Sequence, residues 1–363
     1  MSVTIQAVSD ALQAVVDPHT QHTFASAKAF KQLAVDGGTV RLDLELAYPA
    51  QSRWPALVQQ LTEAAMAVPG VTAVQITPST KILAHAVQRG VQLLPGVKNI
   101  VAVASGKGGV GKSTTAANLA LALAAEGANV GLLDADIYGP SQPMMMGIEG
   151  RPPSEDGKTM EPMVNHGVQV MSIGFLVEPD QAMIWRGPMA TQALEQLLRQ
   201  TNWKDLDYLI VDMPPGTGDI QLTLSQRVPI TGAVIVTTPQ DIALLDAKKG
   251  IKMFEKVGVP ILGVVENMAV HVCSHCGHVE HIFGEDGGKK MAAEFQMDYL
   301  GALPLALQIR EQADSGRPTV VADADGEVAG MYKAIARQVA VKIAAQAKDF
   351  SSKFPTIAIS KNT

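Results

Sequence analysis

The first 88 residues carry two kinds of apolar spacing. Apolar residues recur at helical spacing over residues 5–15, and a second helical run covers residues 56–67. Between these runs, apolar and polar residues alternate over residues 39–48, which is typical of a half-buried strand, and the segment 71–77 predicts another strand. These elements predict a small α+β domain over residues 1–88. Residues 89–98 contain Gly and Pro without a clear period, and we expect them to form a linker.

From residue 99 onward, short apolar runs alternate with helix-length segments. The runs predicted as buried strands are IVAVAS, VGLLDAD, VQVMSIG, YLIVDMP, GAVIVTT, ILGVVEN and YLGALP. The helices predicted between them cover residues 112–125, 190–200 and 243–257. This alternation predicts an α/β domain over residues 99–349, with a mainly parallel, doubly wound sheet. Residues 139–166, rich in Pro and Gly, are predicted to form a long loop, and residues 350–363 a flexible tail.

Composition and charge narrow the class of protein. The 363 residues are 47% hydrophobic and 18% charged, which is ordinary for a globular protein with more than one domain. The net charge of −6 argues against a nucleic-acid binder. The N-terminal residues do not resemble a secretory signal, and the apolar stretches are too short to cross a membrane. With only two cysteines, we expect a cytoplasmic protein without nucleic-acid or membrane partners.

The segment SGKGGVGKST lies between the first of these strands and a predicted helix. It matches the phosphate-loop pattern G-x-x-x-x-G-K-[ST], so the sheet is predicted to be that of a P-loop NTPase. Glycines let backbone N–H groups converge on phosphate oxygens, and the following helix N-terminus favours negative charge. We expect Lys112 to contact the β- and γ-phosphates and the Ser113 hydroxyl to bind Mg²⁺. The predicted ATP-binding residues here are Gly106, Lys107, Gly108, Gly109, Val110, Gly111, Lys112, Ser113 and Thr114.

Two further strands end in carboxylates. Asp212 closes the apolar run of LIVDMPPGTGD, and a buried carboxylate needs a cation or hydrogen-bond donors, so we expect it to support Mg²⁺. In LLDADIYGPS, Asp134 is the candidate nearer the metal and Asp136 the candidate that orients the attacking water. Capping of a turn or helix is the alternative role for both. The segment after Asp212 is the candidate switch, formed by Pro214, Pro215, Gly216, Thr217, Gly218 and Asp219.

The two cysteines form the C-x-x-C pair of VCSHCGH. Cys273 and Cys276 can direct two thiolates at one metal, which is half of a ligand set. On spacing alone, a zinc site completed by nearby histidines is favoured over an iron–sulfur cluster, and a redox dithiol is also open.

In their order and separations, KGGVGKST, DADIYGPSQP, DMPPGTGD and CSHC resemble the Mrp family of iron–sulfur cluster carrier ATPases. That family belongs to the deviant Walker A group, together with the nitrogenase iron protein and the partitioning ATPases. The resemblance covers about residues 98–345, and the segment before it looks like the small iron–sulfur assembly domain often fused there. Relatives with that domain often carry a cysteine after its second strand, where this chain has YPAQS. A cluster-handling role for residues 1–88 is therefore not expected from the motif.

The resemblance implies a homodimer. The second lysine of the loop, Lys107, matches the one that reaches the partner subunit's phosphates, and a cation supplied in trans stabilises charge during phosphoryl transfer. The catalytic candidates are therefore Lys107, Lys112 and Asp136. With this context a [4Fe–4S] cluster is favoured over zinc, two cysteines coming from each subunit. The implied function is ATP hydrolysis coupled to passing the cluster from scaffold proteins to apoproteins.

Two weaker candidates concern the adenine base. Asn267 in VVENM and Pro304 in GALPL stand at strand ends where such residues contact the base in this group, although either could be a turn residue. Two other functions remain open from the sequence. One is a positioning ATPase that cycles on membrane or DNA, and the other is a nucleotide-gated reductase. The predicted packed helix near residues 326–350 and the acidic composition argue against the first.

Overall fold

The computed structural model describes residues 3–88, 90–177 and 187–348. Residue 89 of the predicted linker and the predicted tail, residues 350–363, lie outside these ranges. None of the helices in the described ranges has the length and apolar character needed to span a bilayer.

The N-terminal part forms a three-stranded sheet backed by two helices. Its elements are α1 (Ile5–Gln13), β1 (Phe30–Asp36), β2 (Thr39–Leu46), α2 (Trp54–Met66) and β3 (Ala73–Thr80). Strand β2 is central, antiparallel to β1 and parallel to β3. The alternation seen in the sequence puts Leu42 and Leu44 of β2 into the core, where Leu57 and Leu61 of α2 are also buried. Strand β1 was not predicted, because its residues lack a buried face.

The larger part is built on one sheet. Within the described residues its strands are β4 (Val97–Ala104), β5 (Val130–Asp134), β6 (Met163–Asn165), β7 (Val168–Ser172), β8 (Leu206–Asp212), β9 (Gly232–Thr237), β10 (Ile261–Glu266) and β13 (Tyr299–Ala302). The spatial order is β13-β10-β9-β4-β8-β5-β7-β6, and only the β6–β7 pair is antiparallel. A separate hairpin joins β11 (His271–Val272) to β12 (Val279–Glu280).

Helices connect these strands, which confirms the predicted α/β fold with a mainly parallel sheet. They are α3 (Lys112–Ala125), α4 (Gln142–Met145), α5 (Gly187–Arg199), α6 (Asp219–Arg227), α7 (Asp241–Lys256), α8 (Gly287–Glu294), α9 (Leu307–Asp314), α10 (Thr319–Ala322) and α11 (Glu327–Ala344). Helix α3 packs between the sheet and α11, and it is buried almost all round. Strands β5 to β8 lie on one side of β4 and the later strands β9, β10 and β13 on the other. This reversal of strand order leaves a crevice at the carboxyl end of β4, which is the usual ligand site of such sheets.

The structure differs from the sequence prediction at the start of one strand and within one predicted loop. Strand β4 begins at Val97 rather than at residue 99, because its first residues pair with β8. The prediction of an uninterrupted loop over residues 139–166 is wrong, since it contains α4 and β6. Pro143 lies in the first turn of α4, where its fixed φ favours the helix, and β6 is formed by pairing with β7. Neither feature has a period that a sequence pattern could reveal.

The two parts of the chain meet at the carboxyl end of α3. There the buried carboxylate of Glu126 accepts hydrogen bonds from the Ser52 hydroxyl and from Nη1 of Arg337, both at 2.5 Å. The backbone N–H of Gln51 donates to the Glu126 carbonyl oxygen at 3.1 Å. The N-terminal part is thus bonded to the helix that starts at the phosphate loop.

Candidate functional site

The predicted phosphate loop lies in the crevice, between the end of β4 and the start of α3. Gly109 and Gly111 have φ values of +81° and +79°, which side chains disfavour. A Cβ added to Gly106 would lie 2.1 Å from the carbonyl carbon of Asp246 in α7, and one on Gly111 would lie 2.1 Å from Nδ2 of Asn267. Around Gly108 there is open space. Gly109 and Gly111 therefore allow the backbone conformation of the loop, and Gly106 and Gly111 allow its close packing against neighbouring elements.

Lys112 and Asp212 form a buried ion pair beneath this loop. The Nζ atom of Lys112 lies 2.5 Å from Oδ1 of Asp212 and donates to the Ser113 hydroxyl at 3.1 Å. Lys112 is only 6% exposed and Asp212 is fully buried. The structure thus brings the predicted lysine, hydroxyl and strand-end carboxylate together, with the ammonium group held on the carboxylate.

Asp134 lies beside Asp212, because the two are register partners in the neighbouring strands β5 and β8. Its carboxylate accepts hydrogen bonds from the N–H groups of Asp136 (3.1 Å) and Ser141 (3.0 Å) and from the Ser172 hydroxyl (3.0 Å). Burial, and then the charge of Asp212, raise the pKa of Asp134 above its ordinary value. Asp212 is thus paired with the Lys112 ammonium group, whereas Asp134 is held by neutral N–H and O–H donors.

This donor set fits a magnesium ion. Mg²⁺ prefers oxygen ligands and is usually held by one or two carboxylates with the phosphates of a substrate. Ser113, Asp134 and Asp212 supply a hydroxyl and two carboxylates close together, and Asp212 already binds the Lys112 ammonium group.

Asp136 stands at the rim of this group and is half-buried. Burial raises its pKa, while the nearby Lys112 charge acts in the opposite direction. Its backbone N–H rather than its side chain bonds to Asp134, and the backbone N–H groups of Gly139 and Tyr138 bond to its carboxylate.

Lys107 is half-buried, and its ammonium group has no hydrogen-bond or ion-pair partner anywhere in the described ranges. Its carbonyl oxygen accepts from the Ser105 hydroxyl at 2.8 Å, which fixes the backbone of the loop. Thr114, in the first turn of α3, is half-buried, and its carbonyl accepts from Asn118. The loop therefore holds its backbone in place while leaving one cationic side chain unpaired.

The predicted switch, residues 214–219, lies against the same loop. The N–H of Gly216 donates to the Ser105 carbonyl at 2.9 Å, and Nε2 of Gln221 donates to the Pro215 carbonyl. Pro214 is buried, whereas Thr217, Gly218 and Asp219 are exposed, with Asp219 starting α6. The segment is thus bonded to the phosphate loop at one end and open at the other.

Asn267 follows β10 and lies under the phosphate loop, where its Nδ2 donates to the Val110 carbonyl at 2.9 Å. Pro304 follows β13 and is half-buried. The adenine contacts proposed for both stay predictions. What the structure adds is a direct bond between the end of β10 and the loop.

The cysteines lie in the β11–β12 hairpin, which follows Asn267 in the chain. The N–H of Cys273 donates to the His278 carbonyl and its own carbonyl accepts from Gly277, both at 2.9 Å, which closes a tight turn. Cys276 is exposed. Hydrogen bonds from the backbone N–H groups of His275 and Cys276 lower the pKa of the Cys273 thiol. This favours the thiolate, the form that binds metals.

The histidines of this region do not complete a ligand set. His271 and His281 direct Nδ1 at the carbonyl oxygens of Leu305 (2.9 Å) and Ala269 (3.0 Å). Across residues 3–88, 90–177 and 187–348, no three His, Cys, Asp or Glu side chains are grouped as metal ligands. Within the described chain the pair supplies two thiols, and their role as metal ligands stays a prediction.

One residue that the sequence patterns missed joins the nucleotide motifs. Gln142, at the start of α4, is fully buried, and its Nε2 donates to Asp212 Oδ2 at 2.9 Å and to the Ser113 carbonyl at 3.1 Å. Its backbone N–H donates to Asp134 at 3.1 Å. No periodic pattern marks a single glutamine in a four-residue helix, and the one signal for it is its place within the motif DADIYGPSQP.

Comparison with known proteins covers nearly the whole chain. A family model described as a NUBPL iron-transfer P-loop NTPase matches residues 96–340, and one described as an iron–sulfur cluster assembly protein matches residues 5–76. An iron–sulfur cluster carrier protein of Pseudomonas fragi is 61% identical over 269 residues, which cover 74% of this chain and 94% of the relative. One from Escherichia coli K12 is 52% identical over 327 residues, which cover 90% and 89%. A solved nucleotide-binding protein of Archaeoglobus fulgidus in complex with ADP is 37% identical, with a TM-score of 0.56 over 64% of this chain and 90% of that one.

Proposed function

This chain belongs to the family of NUBPL-type iron-transfer P-loop NTPases, and we propose that it hydrolyses ATP to carry an iron–sulfur cluster to apoproteins. The resemblance found in the sequence motifs is thereby confirmed at the level of the family. Relatives that are 52% to 61% identical carry the name iron–sulfur cluster carrier protein, which supports the same activity here.

One observation carries the proposal: a residue that bonds to the phosphate loop stands directly before the chain segment that carries the cysteine pair. Asn267 directly follows β10, bonds to the Val110 carbonyl of the loop, and precedes the hairpin of Cys273 and Cys276 by a few residues. We expect a shift of the loop on nucleotide binding to move Asn267 and, through it, the start of the segment that leads to the cysteines. This is the link that an ATP-controlled carrier requires.

On the nucleotide side, Lys112 must leave Asp212 to contact phosphates, which frees the Asp212 carboxylate. Ser113, Asp134 and Asp212 would hold Mg²⁺, which when bound neutralises phosphate charge. Asp136 orients the attacking water. Lys107, unpaired within the described chain, supplies its charge to the triphosphate of a second subunit, so that hydrolysis requires a dimer.

On the cargo side, two thiolates from each of two subunits would provide the four ligands of a [4Fe–4S] cluster. The exposure of Cys276 is consistent with a partner chain and with release of the cluster to an acceptor. The exposed apolar side chains of Val272 and Val279 flank the pair and give the hairpin a surface for such contacts. The cluster is thus cargo held at a symmetric interface.

Cluster transfer tests the proposal directly. The protein is reconstituted anaerobically and mixed with an apo-ferredoxin, with and without ATP, while recovery of the ferredoxin spectrum is followed. The wild type should transfer the cluster within minutes, whereas Cys273→Ser with Cys276→Ser should transfer none. His275→Ser, in the same turn, keeps both thiols and is the matched control. A double-serine variant that transfers like the wild type would refute the assignment.

A further inference from the structure

Gln142 occupies the point where the three nucleotide motifs meet. Its side-chain N–H groups tie Asp212 to the carbonyl of Ser113, and its backbone N–H bonds to Asp134. A glutamine amide fits this place because it donates to a carboxylate and a carbonyl at once without adding charge. It therefore fixes the orientation of Asp212 independently of the Lys112 ion pair.

The oxygen atom of the same amide lacks a hydrogen-bond partner among the described residues. This atom, Oε1 of Gln142, is buried. Buried polar atoms almost always form a hydrogen bond. We therefore expect this acceptor, which lies in a candidate nucleotide site, to bind a donor that is not part of the chain. Mg²⁺ usually keeps several water molecules, and these waters can only donate to their neighbours. Oε1 belongs to the same amide group whose Nε2 bonds to Asp212, one of the carboxylates that would hold the ion.

We propose that Gln142 is a positioning residue for magnesium: its Nε2 orients Asp212, and its Oε1 accepts a hydrogen bond from a water molecule of the Mg²⁺–nucleotide complex. This rests on the proposed function, since it presupposes that the loop binds a nucleotide with Mg²⁺. It makes a separable claim, because Gln142 contacts the loop at the Ser113 carbonyl oxygen, an acceptor that a phosphate would not bind, so binding of the nucleotide alone should not change. Loss of its side chain should act on the affinity for the metal.

Gln142→Met tests this, because methionine has a similar volume and lacks both polar atoms. Binding of fluorescent mant-ADP is measured first in EDTA and then during titration with MgCl₂, so that no turnover is needed. We expect wild-type affinity in EDTA and a magnesium midpoint raised about tenfold, the lower range for losing a partner of a metal ligand. Gln338→Met in α11, which removes a glutamine hydrogen bond to the Leu300 carbonyl of β13, should leave both values unchanged.

A folded Gln142→Met protein with the wild-type magnesium midpoint would overturn the inference. If that variant does not fold, Gln142→Asn replaces it, since its amide is one methylene too short to reach Asp212 and it should show the same raised midpoint. A wild-type protein whose mant-ADP binding does not respond to magnesium would instead overturn the nucleotide part of the proposed function, and this inference with it.

Discussion

Gly106 determines how closely the phosphate loop approaches helix α7. A Cβ at this position would lie 2.1, 2.2 and 2.5 Å from the backbone C and O of Asp246 and the N of Ala247. Backbone atoms within a helix cannot move aside as a flexible side chain can. Gly106→Ala should therefore displace the loop, whereas Gly108→Ala adds its methyl group to open space.

The size of the effect follows from these contacts. Adding atoms to a well-packed site lowers the free energy of unfolding by about 1–3 kcal/mol. Because three backbone atoms are in the way, we expect a loss of about 3 kcal/mol for Gly106→Ala. Replacing Gly by Ala also restricts the unfolded chain, which stabilises by about 0.4–1 kcal/mol and applies equally to both variants. The difference between Gly106→Ala and Gly108→Ala thus isolates the clash, and about 3 kcal/mol corresponds to roughly a hundredfold change in the unfolding equilibrium.

Urea unfolding of both variants without nucleotide, followed by circular dichroism, measures this difference, and mant-ADP titration measures the loop. We expect Gly106→Ala to unfold at lower urea and to lose nucleotide binding, while Gly108→Ala unfolds at the wild-type concentration or above. Equal stability of the two variants, with binding retained in Gly106→Ala, would show that the loop does not depend on this close approach.

Three further predictions follow from the same site. Lys107→Ala should bind ATP normally and lose turnover by about 10³-fold, the low end for a charge supplied in trans, as measured by phosphate release; unchanged turnover would exclude that role. Asp212→Ala leaves the Lys112 ammonium group buried without its partner, so unfolding should become easier by about 3 kcal/mol, and a variant of wild-type stability in urea would contradict the pairing. Because the pKa of Cys273 is lowered, its thiolate forms at lower pH than that of a free cysteine. Its alkylation by iodoacetamide, followed by peptide mass spectrometry, should therefore have a pH midpoint below about 8.5, the pKa of a free cysteine. A midpoint at or above that value would contradict the hydrogen bonds in the turn.

Much of the fold follows from sequence periodicity because buried parallel strands and their crossover helices have strong patterns. The run GAVIVTT, for example, corresponds to β9, and the predicted helix 243–257 to α7 (Asp241–Lys256). The edge strand β6 and the short helix α4 could not be predicted, since tertiary pairing stabilises them rather than their own residues.

The same limit applies to the candidate site. Lys112, Ser113 and Asp212 belong to motifs of fixed spacing, so sequence alone placed them together. That Lys112 bonds to Asp212 depends instead on strand register and burial, which only the structure shows. Gln142 was missed for a related reason: it lies within the motif DADIYGPSQP, but the three groups that it contacts are shown only by the structure.

The central claim is that one chain supplies two of the four cysteine ligands of a cluster, so that a second copy of the chain must supply the other two. Native mass spectrometry of the anaerobically reconstituted protein tests this most directly, because it reports the number of chains and the bound metal together. The account predicts a two-chain particle with about four irons and four sulfides, and no iron when Cys273 and Cys276 are both serine. A single chain that carries one zinc ion on the same cysteines, and is fully active in ATP hydrolysis, would contradict it.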